Sequence, residues 1–182
     1  MIENAADMEH VILVDEYDHM IGTMPKMEAH LLGRLHRAFS VFVFNSKGEL
    51  LLQQRAADKY HSGGKWTNTC CSHPRLGEET FDAANRRLEE EMGMECKLDY
   101  GFNFTYQAAL ENGVSENEFD HVFFGTTDQV PFPNPAEVAA YKYVAMQTLA
   151  SEIEFNPGVY TEWLKICFDR VMEYYNRNML NL

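Results

Sequence analysis

The chain has 182 residues, a formal net charge of −13, 46% hydrophobic residues and 24% charged residues. That length falls within the usual ~100–200 residues per domain, so a single domain over residues 1–182 is expected, large enough to bury a core without disulfide or metal staples. The acidic balance argues against a basic footprint for duplex nucleic acid, so no nucleic-acid partner is expected, although a small anion can still be held by a metal and a few local cations.

The cysteines are Cys70, Cys71, Cys96 and Cys167. The adjacent pair suits neither a disulfide framework nor a CxxC zinc knuckle. Cys96 and Cys167 read as small buried hydrophobes. No apolar run approaches the roughly 20 residues of a membrane span. The acidic start Met1–Asp7 lacks a signal peptide's basic end and apolar core. The expectation is a soluble cytoplasmic protein with free thiols and no membrane partner.

Along the chain, the apolar run Glu9–Asp15 predicts a strand, and Ile21–Met24 its hairpin partner after a turn at Tyr17-Asp18-His19. Pro25–Leu32 is a short helix or an ordered loop. His36–Phe44 and Leu50–Arg55, joined by the turn sequence Asn45-Ser46-Lys47-Gly48, predict a β-hairpin. Ala56–Lys65, with Gly63-Gly64, is a loop. Phe81, Ala84, Leu88 and Met92 recur every three or four residues, predicting a helix over Glu79–Met92 with Gly93 as its C-cap. Tyr100–Leu110 and Glu118–Thr126 are strands joined at Asn112-Gly113. Pro131, Pro133 and Pro135 break the chain. A last strand (Tyr141–Met146), a short helix (Gln147–Glu152) and a long helix (Val159–Met179) follow, the last with Leu164, Cys167, Phe168, Val171 and Tyr175 on one stripe. Strands mixed with helices in this order predict an α/β sandwich around a mixed sheet.

Chemistry concentrates between Thr69 and Gly93. Thr69-Cys70-Cys71-Ser72-His73-Pro74 places thiols and an imidazole before an acidic helix. From Ser72 the run continues five residues to Glu78, seven to Arg86-Arg87-Leu88, one to Glu90-Glu91 and one to Gly93-Met94. By themselves Arg86/Glu90 and Arg87/Glu91 are i,i+4 pairs of the kind that decorate an exposed helix. The full spacing resembles the Nudix box, a loop–helix–loop that binds divalent metal and a diphosphate. Ser72 stands where the box has its first Gly. Arg87 stands where hydrolases of the family commonly carry a metal-binding Glu, which removes a ligand and adds a phosphate hook.

Trp66-Thr67-Asn68 followed by Cys-Cys-Ser-His-Pro resembles one branch of that fold, the type I isopentenyl diphosphate isomerases. Ala29-His30, Leu35–Ser40, Leu51–Arg55 and Glu116-Asn117-Glu118 extend the resemblance, with a weaker match at Thr161-Glu162-Trp163. Independently, strand alternation puts Glu116 and Glu118 on one face, where two carboxylates repel and a cation resolves the repulsion. Three imidazoles and two carboxylates suit Zn²⁺, Mn²⁺ or Mg²⁺, nitrogen ligands favouring the first two. The resemblance implies that His30, His36, His73, Glu116 and Glu118 converge on such an ion, and that a second ion, Mg²⁺, bridges the diphosphate at Glu91 and the Cys71 carbonyl.

It further implies that Lys26, Arg55, Lys59 and Arg87 hold the diphosphate, with Ser62-Gly63-Gly64 departing from the family's usual aromatic-Pro-Gly in the same loop. Moving a double bond by one carbon needs one group to protonate the alkene and another to take a proton from the neighbouring carbon. Cys71, two residues before His73, and Glu118 match those groups. Tyr106 matches a residue hydrogen-bonded to that Glu, and Trp163 an aromatic that faces the carbocation. In an extended segment Cys71 shares a side with His73 and Cys70 takes the opposite wall. A thiol beside a bound cation has its thiolate favoured. The implied activity interconverts isopentenyl and dimethylallyl diphosphate in isoprenoid biosynthesis, by a monomer or weak homodimer. The alternative is a Nudix hydrolase of a nucleoside or prenyl diphosphate, which has no use for the thiol.

Overall fold

The computed structural model describes residues 9–179; the acidic start Met1–Asp7 lies outside the described residues. Among the described residues nine strands form one mixed sheet: β1 (His10–Val14), β2 (Met20–Pro25), β3 (His36–Phe44), β4 (Glu49–Arg55), β5 (Trp66–Thr67), β6 (Cys70–Ser72), β7 (Leu98–Ala109), β8 (Ser115–Thr126) and β9 (Val138–Ala145). Four α-helices accompany it: α1 (Lys26–Leu32), α2 (Thr80–Met92), α3 (Met146–Phe155) and α4 (Glu162–Asn178).

The near-continuous apolar run of β3 follows from both its faces being covered. Phe39, Val41 and Val43 join Leu51, Cys70 and Phe123 under α2, packed on Ala83, Ala84, Leu88 and Met92. The alternate residues Phe42 and Phe44 join Leu50, Leu52, Val122 and Phe124 under α3 and α4, packed on Leu149, Leu164, Cys167, Phe168, Val171 and Tyr175. The predicted stripe of α4 is therefore its buried face. On α2 the stripe is rotated: Phe81 is 45% exposed, and Ala83 and Glu91 are buried instead. Gly93 ends α2 in the left-handed region at φ 61°, and a Cβ there would come within 2.5 Å of the Phe132 carbonyl oxygen. The proline-rich stretch lies against the same helix end, Phe132 N–H donating to Met92 O and Asn134 N–H to Glu91 O, so it satisfies carbonyls the helix leaves open.

The ambiguous Pro25–Leu32 segment is helical from Lys26. β7 and β8 start earlier than the sequence suggests, so Glu116 as well as Glu118 lies on a strand. β9 also starts earlier, at Val138, and α3 runs on to Phe155.

The larger difference is the expected hairpin. β3 and β4 are joined only at Phe44 and Leu50, next to the turn. Beyond that point β3 pairs in parallel with β8 along its whole length and, on its other edge, with β6; β4 pairs with β5 and β9. Local turn chemistry predicted the turn correctly, but the ladder beyond it is decided by a segment distant in sequence. Trp66–Ser72 wedges between the two strands. Thr69 Oγ1 accepts from Val43 N–H at 2.9 Å and donates to Leu51 O at 2.7 Å, taking the place of a direct rung. Asn68 Nδ2 donates to Val41 O (3.2 Å) and Cys70 O (2.8 Å), and Gln53 Nε2 donates to Thr69 O (2.9 Å).

Replacing this hydroxyl is a direct test of the wedge. Thr69→Val keeps the shape and strands a buried donor and a buried acceptor, which should cost about 1–3 kcal/mol in denaturant unfolding. An unchanged midpoint would mean that the wedge is held by packing alone.

Candidate active site

The fork opens one cavity to both faces of the sheet. Cys71, His73, Arg87, Glu91, Glu118 and Trp163 all line it, with Lys26, Arg55, Lys59, Tyr106 and Glu116. Register explains the convergence. His36 pairs with Glu118 across the parallel β3–β8 ladder, and Tyr106 pairs with Glu118 across β7–β8. Alternation along β8 aligns Glu116 with Glu118. Cys71 pairs with Ser40 and opens onto the cavity, whereas Cys70 pairs with Val41 and is sealed under α2.

The three imidazoles the sequence singles out stand together. Ring centroids lie 4.9 Å apart for His30–His36, 5.0 Å for His36–His73 and 5.8 Å for His30–His73. His30 Nδ1 contacts Lys26 O at 2.6 Å and His36 Nδ1 contacts Arg34 O at 2.7 Å. A carbonyl only accepts, so both Nδ1 atoms carry the proton and both Nε2 lone pairs point inward. There they meet more lone pairs: His30 Nε2 is 3.0 Å from Glu116 Oε2, and His36 Nε2 is 3.6 Å from Glu118 Oε1. Among the described residues, His36 Nε2 and Glu116 Oε2 are buried without a hydrogen-bond partner.

Lone pairs facing one another in a dry chamber are the arrangement a cation resolves. One donor atom each from His30, His36, His73 and Glu118 lies within 4.8 Å of the others, and a second set is His30, His61 and Glu116. Ligands on opposite sides of an ion at ~2.0–2.2 Å are ~4.2 Å apart, so a small inward movement closes the first set. Glu91 is 4% exposed, and its oxygens accept from Arg87 Nη2 (2.6 Å) and Gln53 Nε2 (2.8 Å). A carboxylate has about four lone-pair positions, which leaves room for a cation there.

Burial pushes the His73 imidazole down to about 4, against the pull of Glu118, so it is neutral and ready to ligate. Burial alone would raise Glu118, but the neighbouring imidazoles, His36 at 3.6 Å and His73 at 3.0 Å, hold it well below the carboxylate range. Glu116 is pushed up by burial and by Glu118. Burial would lower His30, but its contact with Glu116 raises it. Tyr106 Oη donates to Glu118 Oε2 at 2.6 Å and His73 Nε2 lies 3.0 Å from Oε1, so the carboxylate is held from both sides.

The four cations face the cavity with acidic partners or an aromatic ring. Lys26 pairs with Glu9 at 3.0 Å and Lys59 with Glu137. Arg87 reaches Glu90, Glu91 and Glu137. The Arg55 guanidinium sits over Trp163, 5.3 Å from the ring centroid, and its Nε has no partner. Arg86 grips Glu78 at 2.7 and 2.9 Å, so that box pair ties the loop to the helix.

A model of the NUDIX domain family matches residues 34–164. The chain is 51% identical over 168 residues to an isopentenyl-diphosphate Delta-isomerase of Pectobacterium atrosepticum, covering 92% of this chain and 94% of that one. It is 55% identical over 164 residues to isopentenyl-diphosphate Delta-isomerase 1 of Aromatoleum aromaticum, covering 90% and 93%. The chain belongs to the isopentenyl-diphosphate Delta-isomerase family within the Nudix superfamily. The fold is shared with DR0079 of Deinococcus radiodurans, at a TM-score of 0.75 and 19% identity over 89% of this chain and 98% of that one.

In this Nudix isomerase the sequence reading needs two additions. The Cys71 thiol is pushed up by burial, and Glu91, Glu118 and Asp120 push the same way against Arg55. In the metal-free protein it is therefore a thiol, where the proximity argument favours a thiolate. His61 went unnoticed in the sequence. It is 5% exposed, 3.2 Å from Glu116 Oε1, and edge-on to Trp163. As a lone His in a polar loop it has no spacing to signal it.

His73 and His61, lowered to about 4 and about 3, bind fewer protons folded than unfolded. Their contribution to stability is therefore present above ~6.5 and lost as pH falls toward 4. His30, shifted upward, works in the opposite sense. Melting in a chelator should fall between pH 7 and pH 4.5, and His73→Asn should flatten the fall. A flat wild-type profile would mean that these imidazoles are not buried neutral.

Proposed function

We propose that this cavity interconverts isopentenyl diphosphate and dimethylallyl diphosphate, with Cys71 and Glu118 as its proton-transfer groups. The observation that carries this reading is the Cys71 thiol in the same cavity as a carboxylate, Glu118, held in place by Tyr106 and His73. Lys26, Arg55, Lys59 and Arg87 bind the diphosphate. Their carboxylate partners Glu9, Glu90 and Glu137 give way as phosphate oxygens take over the same donors. Arg87 on α2 and Trp163 on α4 mark the two sides between which the substrate lies.

His30, His36, His73, Glu116 and Glu118 hold one divalent ion, Zn²⁺, Mn²⁺ or Mg²⁺. Glu91 and the Cys71 carbonyl hold Mg²⁺. The ions supply charge neutralisation for the diphosphate and the buried carboxylates. One of Cys71 and Glu118 gives a proton to the terminal alkene carbon, leaving a tertiary carbocation. The other takes a proton from the neighbouring methylene, and the double bond has moved. Tyr106 keeps the Glu118 oxygen aimed. Trp163, its Nε1–H donating to Asn68 Oδ1 at 3.2 Å, presents a fixed aromatic surface to the cation.

A hydrolase reading has less support, because Arg87 lies between Glu90, Glu91 and Glu137 where that chemistry wants another carboxylate. Purified protein with Mg²⁺ and isopentenyl diphosphate should yield dimethylallyl diphosphate and no free phosphate. Release of phosphate instead would favour the hydrolase. Cys71→Ala should lose about 10²–10⁴-fold in turnover while still binding diphosphate, whereas Cys70→Ala should lose stability and keep most of its activity. Near-native turnover in Cys71→Ala would overturn the assigned roles. Arg87→Glu should raise the substrate KM without creating hydrolysis, as followed by a phosphate-release assay.

A further inference from the structure

His61 belongs to neither the box nor the Cys-His stretch, yet it reaches the buried end of Glu116. It sits in the loop between β4 and β5 that also carries Lys59. Three contacts fix it. Its carbonyl accepts from Arg55 Nη2 at 3.3 Å, its ring lies edge-on to Trp163 at 6.0 Å, and it lies edge-on to Tyr60 at 4.4 Å. The next residue, Ser62, is 1% exposed and holds a left-handed backbone at φ 52°, which a side-chain-bearing residue adopts at a cost. Its hydroxyl is 3.4 Å from His61 Nδ1.

The two oxygens of Glu116 face different groups. Oε2 lies 3.0 Å from His30 Nε2, whose lone pair points inward, and is buried with no hydrogen-bond partner. Oε1 lies 3.2 Å from His61 Nε2. Proton on Nε2 is the tautomer that suits both neighbours: Nε2–H then faces Oε1 at 3.2 Å, and Nδ1 faces the Ser62 hydroxyl at 3.4 Å. Glu116 then has one oxygen beside the His61 ring and the other turned toward His30 Nε2, an arrangement that a cation between them would resolve.

We infer that His61 is a positioning residue for the His/Glu ion: it holds Glu116 Oε1 so that Oε2 is presented beside His30. This rests on the reading of that cluster as an ion site. It also ties the loop bearing Lys59 to the ion, so the ion site and the diphosphate site share a support. Outer partners of this kind typically contribute about 10–100-fold to metal affinity.

The test is calorimetric titration of the chelator-stripped protein with Zn²⁺ or Mn²⁺, together with the rise in melting temperature on adding the ion. His61→Ala and His61→Phe should each weaken binding about 10–100-fold; Phe keeps the ring packing against Trp163 and Tyr60, so a loss there is not a packing effect. His61→Gln, which restores an N–H donor, should recover most of the affinity. Circular dichroism of each variant checks that it is folded. Wild-type affinity in Ala and Phe would overturn the inference, as would a Gln variant as weak as Phe. Two ions at the His/Glu cluster, one of them lost with His61, would make His61 a ligand and overturn the positioning role. His36→Ala is the control for the underlying site: if it binds as tightly as wild type, the ion-site reading itself fails, independently of His61.

Discussion

The structure depends on a sheet that is pried open. A hairpin between β3 and β4 would have closed into a continuous ladder and kept the residues of the two faces apart. The wedge of Asn68 and Thr69 forbids that, and its side-chain oxygen and nitrogen stand in for missing rungs at Val43 N–H, Leu51 O and Val41 O. At the resulting gap Glu91 and Arg87 from the α2 side meet Trp163 from the α4 side in one cavity. A substrate with a charged head and an apolar tail needs both kinds of wall, and neither face of a closed sheet offers them together.

The second constraint is electrostatic. β8 lines up Glu116, Glu118 and Asp120 on one face, at 3%, 8% and 1% exposure. Burying carboxylates in a row is costly unless each is compensated. Glu118 is compensated by the His73 imidazole and the Tyr106 phenol, and Asp120 by Ser40 at 2.7 Å on one oxygen, with burial and Glu118 pushing its carboxyl well up. Glu116 and Asp120 each keep one buried oxygen without a hydrogen-bond partner among the described residues, and His30 Nε2 beside Glu116 adds to the excess. The protein therefore carries a negative, buried chamber beside a cluster of cations, a charge separation that suits a cation on one side and a diphosphate on the other.

Helix α2 works in both halves of this arrangement. Its buried stripe of small and aliphatic residues seats it on the sheet, and that seating turns Glu91 inward. Arg86 spends its guanidinium on Glu78 and Glu90, so the preceding loop cannot swing away from the helix. Arg87 is left to face the cavity. Two adjacent arginines thus do different things because one helical step aims Arg86 at the preceding loop and Arg87 at the cavity.

Much of this was already present in the sequence. The box spacing, the Cys-His stretch, the Glu116-x-Glu118 alternation and the stripe of α4 are local patterns with periods of two or 3.6, and periodicity decides which side chains share a face. That is why the choice between Cys70 and Cys71 could be argued from adjacency alone. What the sequence could not carry were relations between segments far apart. The parallel pairing of β3 with β8, the fork in place of a hairpin, and the approach of His61 to Glu116 have no local signature, since each depends on which distant strand or loop fills a given edge. The same limit holds for the protonation of Cys71: residue type and a neighbouring ion argue for a thiolate, but burial, which only tertiary packing determines, keeps the proton on the sulfur of the metal-free protein.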